Sequence, residues 1–427
     1  QKDGQKRTGF VGMDIGAAEA WQITTGSHDV TVAVIDSGIS YSHPDIIENM
    51  WTNILEKNGK SGVDDDGNGY IDDIHGYSFE SGKESGNPMD GIGHGTHCAG
   101  IIGARGNNGQ GIVGVNWNVK LMAVKFVSDS GEGTSEAAIK SISYAINNGA
   151  QIISNSWGGG PESKALVETI ERANQKGILF VAAAGNDQAD NDAKPFYPAS
   201  YPIDNIISVT AIDNQGRLTP FSNFGKKSVH IAAPGMNIAS TVIKDYMISS
   251  GTSMAAPFVS GVAALLLANQ PSLTGRELKE RIINTAKALP GLQGKVLNRG
   301  LVNAYNALTN TQTTDQSEDP SNWTNTYTFP NIMSSNHPYL NKTHQKFEIQ
   351  VPGAKQFSLY FPKVSVDYGF DFVIIKDATG KIVDKISERK TLNIYSTVID
   401  GDKATVEFVS DSSINGWGFD LTKAVWR

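Results

Sequence analysis

The sequence has almost no cysteine, no excess of basic residues and no long apolar run. Its single cysteine, Cys98, excludes an intrachain disulfide, so stability has to come from core burial, bound ions or both. Lys and Arg number 36 against 44 Asp and Glu, a net charge of −8, which excludes the basic surface typical of nucleic-acid-binding proteins. The apolar run at residues 262–268 is far shorter than the roughly eighteen residues of a bilayer span. We therefore expect a globular chain without nucleic-acid partners and without a membrane span.

The chain divides at one polar stretch. Its 427 residues suggest two or three folding units on the usual domain size. Residues 309–322, TNTQTTDQSEDPSN, hold no aliphatic or aromatic side chain and cannot order themselves as a core. The sequence predicts a first domain over residues 1–308, a linker over 309–322 and a second domain over 323–427. Because the first methionine is Met13, we also expect a processed, secreted chain.

Before the linker, short apolar runs alternate with helical patterns. Residues 134–147 place apolar side chains at steps of three and four after Thr134 or Ser135 as a cap, and a second helix follows Pro161 and stops at Gly177. This alternation predicts an α/β fold with a doubly wound, mostly parallel sheet, whose ligands lie at the carboxyl ends of the strands. The runs that indicate buried strands are residues 30–35, 121–124, 152–153, 178–183 and 206–209.

After the linker, the hydrophobic pattern changes to a period of two residues. Residues 346–351 and 370–375 alternate in this way, and turns rich in Gly and Asp separate such runs. This pattern predicts a smaller, all-β sandwich domain of antiparallel strands.

Three distant segments each place one reactive side chain at the end of a buried element. Asp36 closes the strand of VIDSG, His94 opens the helix of GHGTHCAG, and Ser253 opens the helix of GTSMAAP. A serine hydroxyl needs a base to accept its proton, and an imidazole base needs a carboxylate to fix its tautomer. Each residue alone also has a structural explanation, as a cap or a first-turn residue. Together, in the order Asp, His, Ser, they indicate nucleophilic catalysis.

These motifs resemble those of the subtilisin-like serine proteases, the subtilase family, over roughly residues 10–308. The resemblance implies that Asp36 orients the base, His94 is the general base and acid, and Ser253 is the nucleophile that forms an acyl-enzyme. It also implies that Asn186, in AAGN, donates to the oxyanion together with the backbone N–H of Ser253. An α/β-hydrolase is excluded, because the chain has no G-x-S-x-G motif and that family places the histidine last.

The resemblance also implies a protein or peptide substrate that adds as an extended strand between two segments of the chain, residues 130–133 and residues 156–159. Both segments have a plainer explanation as ordinary strand-to-helix turns. Phe196 falls near the floor of the primary pocket and would shorten it, whereas Asp187 at the rim would favour a basic or polar group. We expect broad endopeptidase activity. The residues implied to line the substrate are Gly131, Glu132, Gly133, Ser156, Trp157 and Gly158.

Calcium is the expected ion. In the acidic segment that begins at Asp64, His75 stands where an EF-hand has its bidentate acid, so a complete EF-hand is excluded. A solvated acidic turn is the alternative to a Ca²⁺ site in this segment. The family resemblance implies a second Ca²⁺ site from Asp45 and Asn108. Residues 64–73, DDDGNGYIDD, nevertheless match the first part of an EF-hand loop, with oxygen ligands from Asp64, Asp66, Asn68, Asp72 and the carbonyl of Tyr70.

Two further features carry weaker expectations. Cys98 lies four residues after His94 on the same helix, and a small buried hydrophobe is its favoured interpretation. The C-terminal segments FDFVIIKD and VEFVSDSSINGWGFDL resemble a CUB-like domain. There Asp367, Asp371 and Asp411 could converge on a cation, with solvated turn acids as the favoured alternative.

The whole pattern predicts a monomeric, secreted, calcium-stabilised serine endopeptidase that matures from a propeptide form. Two rivals stay open: a non-catalytic binding protein on the same scaffold, and a processing enzyme whose acidic pocket loop selects one basic motif.

Overall fold

The structure is a computed structural model. It describes residue 9 and residues 12–292, 294–297, 300–311, 320–367, 370–387 and 391–427. The chain forms two compact units, one within residues 1–288 and 294–313 and the other within residues 289–293 and 314–427. The predicted linker, residues 309–322, lies mostly outside the described residues.

The first unit is built on a mostly parallel sheet. Its strands are β1 (Gly26–Asp36), β2 (Gly76–Ser78), β3 (Asn118–Lys125), β4 (Ile152–Asn155), β5 (Leu179–Ala183), β6 (Ile206–Ile212), β7 (Ile231–Pro234), β8 (Ile238–Thr241), β9 (Tyr246–Ser249), β10 (Lys287–Ala288) and β11 (Gly300–Leu301). The order across the sheet is β10-β11-β7-β6-β5-β4-β1-β3-β2, and β8 pairs with β9 in a separate hairpin. The β10–β11 pair is antiparallel and the other pairs in the large sheet are parallel. The predicted doubly wound sheet is confirmed.

Helices cover both faces of this sheet. They are α1 (Ala17–Ala20), α2 (Ile54–Asn58), α3 (His94–Gly103), α4 (Ser135–Asn147), α5 (Lys164–Gln175), α6 (Thr252–Asn269), α7 (Gly275–Asn284) and α8 (Ala304–Thr309). Thr134 caps α4 as predicted, since its hydroxyl accepts from Ala137 N–H. One core joins Ile142 of α4 and Ile170 of α5 to Ile35 of β1 and other sheet residues. The buried strands are therefore the apolar runs of the sequence.

Helix α6 is the central apolar helix. Its length and composition would allow it to cross a membrane, but 78% of it is buried within the protein. It packs beside α3 and along β1, β4, β5, β6 and β7. Helix α6 is therefore a core helix of the first unit.

Strand β1 is where the chain reverses its direction across the sheet. It pairs with β3 on one side and with β4 on the other. A crevice at the carboxyl ends of such strands is where ligands bind in open α/β sheets. Asp36 is the last residue of β1. The fold therefore places it beside this crevice.

The second unit is all-β. Its strands are β12 (Asn325–Ser334), β13 (His344–Gln350), β14 (Gln356–Ser365), β15 (Phe372–Asp377), β16 (Ile382–Ile386), β17 (Thr391–Tyr395), β18 (Ile399–Asp400), β19 (Lys403–Val409) and β20 (Gly418–Trp426). They form one sheet in the order β12-β20-β14-β17, with β18 on β14, and another in the order β13-β19-β15-β16. The pairs are antiparallel, and a core that includes Phe357, Phe361, Phe408 and Phe419 joins the two sheets. The predicted second β domain is confirmed, and its likeness to CUB domains stays a prediction.

Candidate active site

Asp36 and His94 form a hydrogen-bonded pair at the carboxyl edge of the sheet. Asp36 Oδ1 lies 2.7 Å from His94 Nδ1, and the same oxygen accepts from Ser37 N–H at 2.7 Å. The Asp36 side chain is 3% exposed and that of His94 is 37% exposed. The negative charge of Asp36 raises the pKa of His94 above the usual 6.5, against the opposing effect of burial. The carboxylate therefore holds the imidazole with Nε2 left for another partner.

A glycine lets the helix of His94 approach the end of β1. A Cβ atom on Gly95 would lie 2.2 Å from the carbonyl oxygen of Gly38 and 3.0 Å from Cβ of Asp36. Any larger residue would push α3 away from the strand. This close packing explains the glycine at position 95 of GHGTH.

Ser253 lies in the first turn of α6, on the side where α6 meets α3. The Cys98 thiol donates to the Ser253 carbonyl at 3.3 Å, and Ser156 Oγ donates to the same carbonyl at 2.8 Å. Atoms of Asp36, His94 and Cys98 all lie within 4.8 Å of one another. The nucleophile predicted from the sequence therefore lies beside the Asp36–His94 pair.

Pro257 explains why the Ser253 carbonyl is free to accept these bonds. Proline has no N–H, so the carbonyl four residues before it loses its helical partner. Pro257 is inside α6, four residues after Ser253. Ser156 and Cys98 supply the replacement donors. The Ser253 hydroxyl in turn donates to the Ser156 carbonyl at 3.0 Å, so the two serines bind each other reciprocally.

Asn186 presents an amide donor next to the start of α6. Its Oδ1 accepts from the N–H of Thr252 at 2.9 Å and from the Thr252 hydroxyl at 3.0 Å. A backbone N–H can only donate, so the amide atom facing it must be the oxygen. No hydrogen bond within the described part of the chain uses Asn186 Nδ2, and the residue is exposed. The Nδ2 group and the N–H of Ser253, one of those at a helix start that no helical carbonyl reaches, are available to an oxyanion.

Comparison with known proteins assigns this arrangement to a family. The model of the subtilase family, Peptidase S8, matches residues 27–321. The chain belongs to the subtilase family.

Several subtilases are similar to this chain. Subtilisin-like protease 1 of Plasmodium berghei is 36% identical over 320 residues, covering 70% of this chain and 53% of that protein. Subtilisin-like protease 2 of Plasmodium falciparum is 37% identical over 295 residues, covering 67% of this chain and 21% of that protein. The thermophilic serine proteinase of Bacillus sp. strain AK1 is 38% identical over 291 residues, covering 68% and 64%. The chain spans about half the length of the first curated relatives that it matches.

The two segments that the subtilase resemblance assigns to substrate flank the same edge. Residues Gly131, Glu132 and Gly133 are exposed, in a loop closed by the bond from Ser128 N–H to the Glu132 carbonyl at 2.8 Å. Trp157 packs edge-on against Phe126, with ring centroids 4.8 Å apart. A Cβ on Gly133 would lie 2.6 Å from the Phe126 ring. The two segments are thus joined through one aromatic contact.

Phe196 packs against two glycines of the segments that surround Ser253. A Cβ on Gly158 would lie 2.3 Å from the Phe196 ring, and one on Gly185 would lie 3.1 Å from it. Gly158 follows Ser156 by two residues, and Gly185 directly precedes Asn186. Phe196 is therefore close to both segments that surround the nucleophile, whereas Asp187 is exposed.

The predicted calcium loop brings some of its ligands together and turns others away. One carboxylate oxygen each of Glu56, Asp64 and Asp66 lie within 4.8 Å of one another. No ion pair within the described residues involves these three carboxylates. The Asn68 oxygen instead accepts from Tyr70 N–H at 2.8 Å, and Asp72 Oδ2 accepts from Gly62 N–H at 2.8 Å. The carboxylate set fits a hard cation, because its ligand atoms are all oxygen and no cationic side chain of the described residues pairs with it.

The second predicted calcium pair fits an ion less well. Asp45 is fully buried, and its Oδ1 accepts from Asn108 Nδ2 at 2.6 Å while Oδ2 accepts from Ile112 N–H at 3.0 Å. The Asn108 oxygen points to Gln110 N–H, 3.1 Å away. As arranged, Asp45 and Asn108 do not offer converging oxygens.

Asp371 contacts the other two C-terminal aspartates through their backbones, at Asp411 N–H and the Asp367 carbonyl. Asp371 is fully buried, its Oδ1 accepts from Asp411 N–H at 2.8 Å, and its Oδ2 accepts from the Tyr339 hydroxyl. Asp371 N–H donates to the Asp367 carbonyl at 3.0 Å. Burial raises the pKa of Asp371. Hydrogen-bonded donors within this unit therefore satisfy Asp371.

Sequence reasoning missed Glu56 and the roles of Ser156 Oγ and Cys98 in holding Ser253. Glu56 is 3% exposed and accepts from Asp65 N–H at 2.7 Å and Asp72 N–H at 2.8 Å. An acid in the short helix just before an acidic loop was the available signal. The contacts of Ser156 and Cys98 join segments far apart in the chain, and no local pattern marks them.

Proposed function

We propose that the chain is an endopeptidase that cleaves peptide bonds through an acyl-enzyme on Ser253. The observation that supports this best is the hydrogen-bonded Asp36–His94 pair beside the first turn of α6. Asn186 Nδ2, which has no hydrogen-bond partner among the described residues, lies at the same point. Family membership supports the same chemistry.

The chemistry proceeds through this chain's own groups. His94 Nε2 takes the proton of Ser253 Oγ as the hydroxyl attacks the substrate carbonyl, and the imidazolium then gives that proton to the leaving amine. Asp36 stabilises the imidazolium. The hydroxyl first has to leave the Ser156 carbonyl, and hydrogen bonds at active sites often tighten only when substrate binds. Asn186 and the Ser253 N–H stabilise the oxyanion, helped by the positive end of the α6 dipole.

The test of this function is cleavage of casein by the parent chain and by Ser253→Ala. The proposal expects cleavage by the parent and its loss in Ser253→Ala. Ser412→Ala is the matched control, because it also removes a serine hydroxyl group, and Ser412 is exposed in the other unit. An inactive parent, or casein cleavage that survives in Ser253→Ala, would overturn the proposal.

The proposed specificity is broad, with small side chains favoured at the residue before the cleaved bond. Phe196 lies against Gly158 and Gly185, so it occupies volume that a large side chain would need. Profiling a peptide library on the parent and on Phe196→Ala tests this: the variant should accept larger apolar residues there. A strict preference for a basic residue, unchanged by Phe196→Ala, would favour the rival processing enzyme, with Asp187 as the selecting acid.

We also propose that Ca²⁺ binds among Glu56, Asp64 and Asp66 and stabilises the first unit. The close approach of three carboxylates supports this, because a bound cation would offset the repulsion between them. The ion would supply charge compensation in the 56–73 loop and takes no part in the reaction. Secretion, a monomeric state and maturation from a propeptide form belong to the same proposal and rest on the family resemblance.

A further inference from the structure

Helix α3, which carries His94, cannot cap its own N-terminus. Its N-cap residue is Gly93, which has φ of 90° and makes no side-chain cap bond. The first N–H groups of the helix find acceptors elsewhere. Gly95 N–H donates to Ser37 Oγ at 2.9 Å, and Thr96 N–H donates to Asp90 Oδ2 at 2.9 Å. The start of α3 is therefore held by side chains from outside the helix.

Asp90 is the centre of this arrangement. It is 2% exposed, and its Oδ1 accepts from Ser37 Oγ at 2.9 Å, Ile92 N–H at 3.0 Å and Gly93 N–H at 2.9 Å. Its Oδ2 accepts from Thr96 N–H and from the Thr96 hydroxyl at 2.6 Å. One buried carboxylate thus joins the turn before His94, the first turn of α3 and the residue that follows Asp36.

We propose that Asp90 is a positioning residue for the Asp36–His94 pair: its carboxylate locks the first turn of α3 against the end of β1. The link is short, because Ser37 N–H donates to Asp36 Oδ1 while Ser37 Oγ donates to Asp90. Any shift of the turn would therefore change the distance between Asp36 and His94. This inference rests on the proposed function of His94 as the base.

The charge of Asp90 has a second effect on His94. His94 is the first residue of α3, where the positive end of the helix dipole favours the neutral imidazole. A buried carboxylate at that end opposes this effect. Asp36 contributes most to the raised pKa of His94, and the charge of Asp90 acts in the same direction. Asp90 thereby helps to keep the pKa of His94 raised.

Other titratable groups surround His94. On α3 itself, burial lowers the pKa of His97 and raises that of Cys98, so both are neutral near pH 7. From β3, Lys125 Nζ donates to the Ser37 carbonyl at 2.9 Å and to Asp129 Oδ1 at 2.7 Å, so Asp129 balances its charge.

The β8–β9 hairpin supplies the last charged groups near this turn. Val242 lies 3.4 Å and Ile243 lies 3.8 Å from the position of a Cβ on Gly93. The next two residues, Lys244 and Asp245, are exposed and of opposite charge. Asp36 and Asp90 are therefore the buried carboxylates whose charge acts on His94. Within the described residues, neither is paired with a lysine or arginine that would balance this charge.

Asp90→Asn tests the inference, since it keeps the shape of the side chain and removes its charge. We expect kcat on a peptide substrate to fall about tenfold or more with KM changed less than about twofold. The acid limb of the kcat/KM profile should move to lower pH, because a lost negative charge lowers the pKa of His94. A purely structural role would lower activity without moving the limb. Parent values of kcat and of the acid limb would overturn the inference.

Two variants complete the design. Ser37→Ala removes the hydroxyl between Asp90 and Gly95 N–H but keeps the charge, so kcat should fall with the acid limb in place. If Asp90→Asn does not fold, Ser37→Ala carries the test, and a parental kcat there would overturn the inference. Asp213→Asn is the charge-matched control: Asp213 is another buried carboxylate of this unit, paired with Arg217 at 2.6 Å.

A direct titration separates this inference from the proposed function. The imidazole of His94 is titrated by NMR in the Ser253→Ala background, with and without Asp90→Asn. A lower His94 pKa in the double variant supports the inference whether or not the parent cleaves peptides. An active parent with an unshifted His94 would overturn the role of Asp90 alone.

Discussion

Truncation of Asn186 should slow catalysis far more than it destabilises the protein. The Asn186→Ala change removes Nδ2, the side-chain donor that faces the oxyanion. Loss of one such donor costs about 10²–10³ in kcat, a figure that was established on subtilisin, a member of this family, and is carried over here. The change also removes Oδ1, which accepts from the N–H and the hydroxyl of Thr252 at 2.9 and 3.0 Å.

The two effects of Asn186→Ala differ in size and in kind. Two neutral hydrogen bonds at about 0.5–1.5 kcal/mol each amount to about 1–3 kcal/mol of stability. In a domain of this size, each kcal/mol lowers the melting temperature by about 2–4 °C, so the variant stays folded in an assay at moderate temperature. A loss of stability therefore cannot account for a hundredfold fall in kcat.

The assay is steady-state hydrolysis of a peptide substrate, with active enzyme counted by titration with a fluorophosphonate. We expect kcat per active site to fall about a hundredfold or more while KM changes little. Gln188→Ala is the matched control, because it truncates an exposed amide two residues further along the same loop. A kcat for Asn186→Ala within about threefold of the parent would refute the oxyanion role.

Four other outcomes follow from the site. Because Asp36 raises the pKa of His94, kcat/KM should rise with pH and be half-maximal on the acid side above pH 6.5, and a flat profile would exclude an imidazole base. The same raised pKa contributes stability below about pH 6.5 that is lost as pH rises through the folded-state value. Removal of Ca²⁺ with EDTA should lower the melting temperature by about 5–10 °C if the ion is present at about a hundred times its Kd. The Glu56→Gln variant should show a smaller effect of EDTA. An unchanged melting temperature of the parent would argue against the site. A mercurial should inactivate slowly, because Cys98 is 1% exposed and its thiol touches the Ser253 carbonyl, and Cys98→Ala should resist it. Rapid inactivation of the Cys98→Ala variant would contradict this.

Local signals predicted most of the fold. The apolar run at residues 30–35 lies within β1, and the cap at Thr134 begins α4, because burial and capping depend on neighbours in sequence. Strand order and the close approach of α3 to β1 depend instead on packing between distant segments. The strand order brings β1 between β3 and β4, and the 2.2 Å between a Cβ on Gly95 and the Gly38 carbonyl oxygen reflects the close approach of α3.

In the candidate site, too, residue types were predictable from the sequence and contacts between distant segments were not. Asp36 and His94 were predicted by residue type and chain order, and the structure brings them within hydrogen-bonding distance. The calcium loop shows the limit of spacing: the alternation of acids indicated the ligand type, but the oxygen of Asn68 faces a backbone N–H. Asp90 acts through contacts that no sequence pattern indicates, and the local signal for Glu56 was only an acid just before an acidic loop.

The most direct test of the account is to locate the adduct that a fluorophosphonate forms with the folded chain. The central claim is that His94, held by Asp36, activates the hydroxyl of Ser253. Peptide mapping by mass spectrometry should find the adduct on Ser253 in the parent, and labelling should be lost in His94→Ala. An adduct on another residue, or undiminished labelling of Ser253 in His94→Ala, would contradict the account.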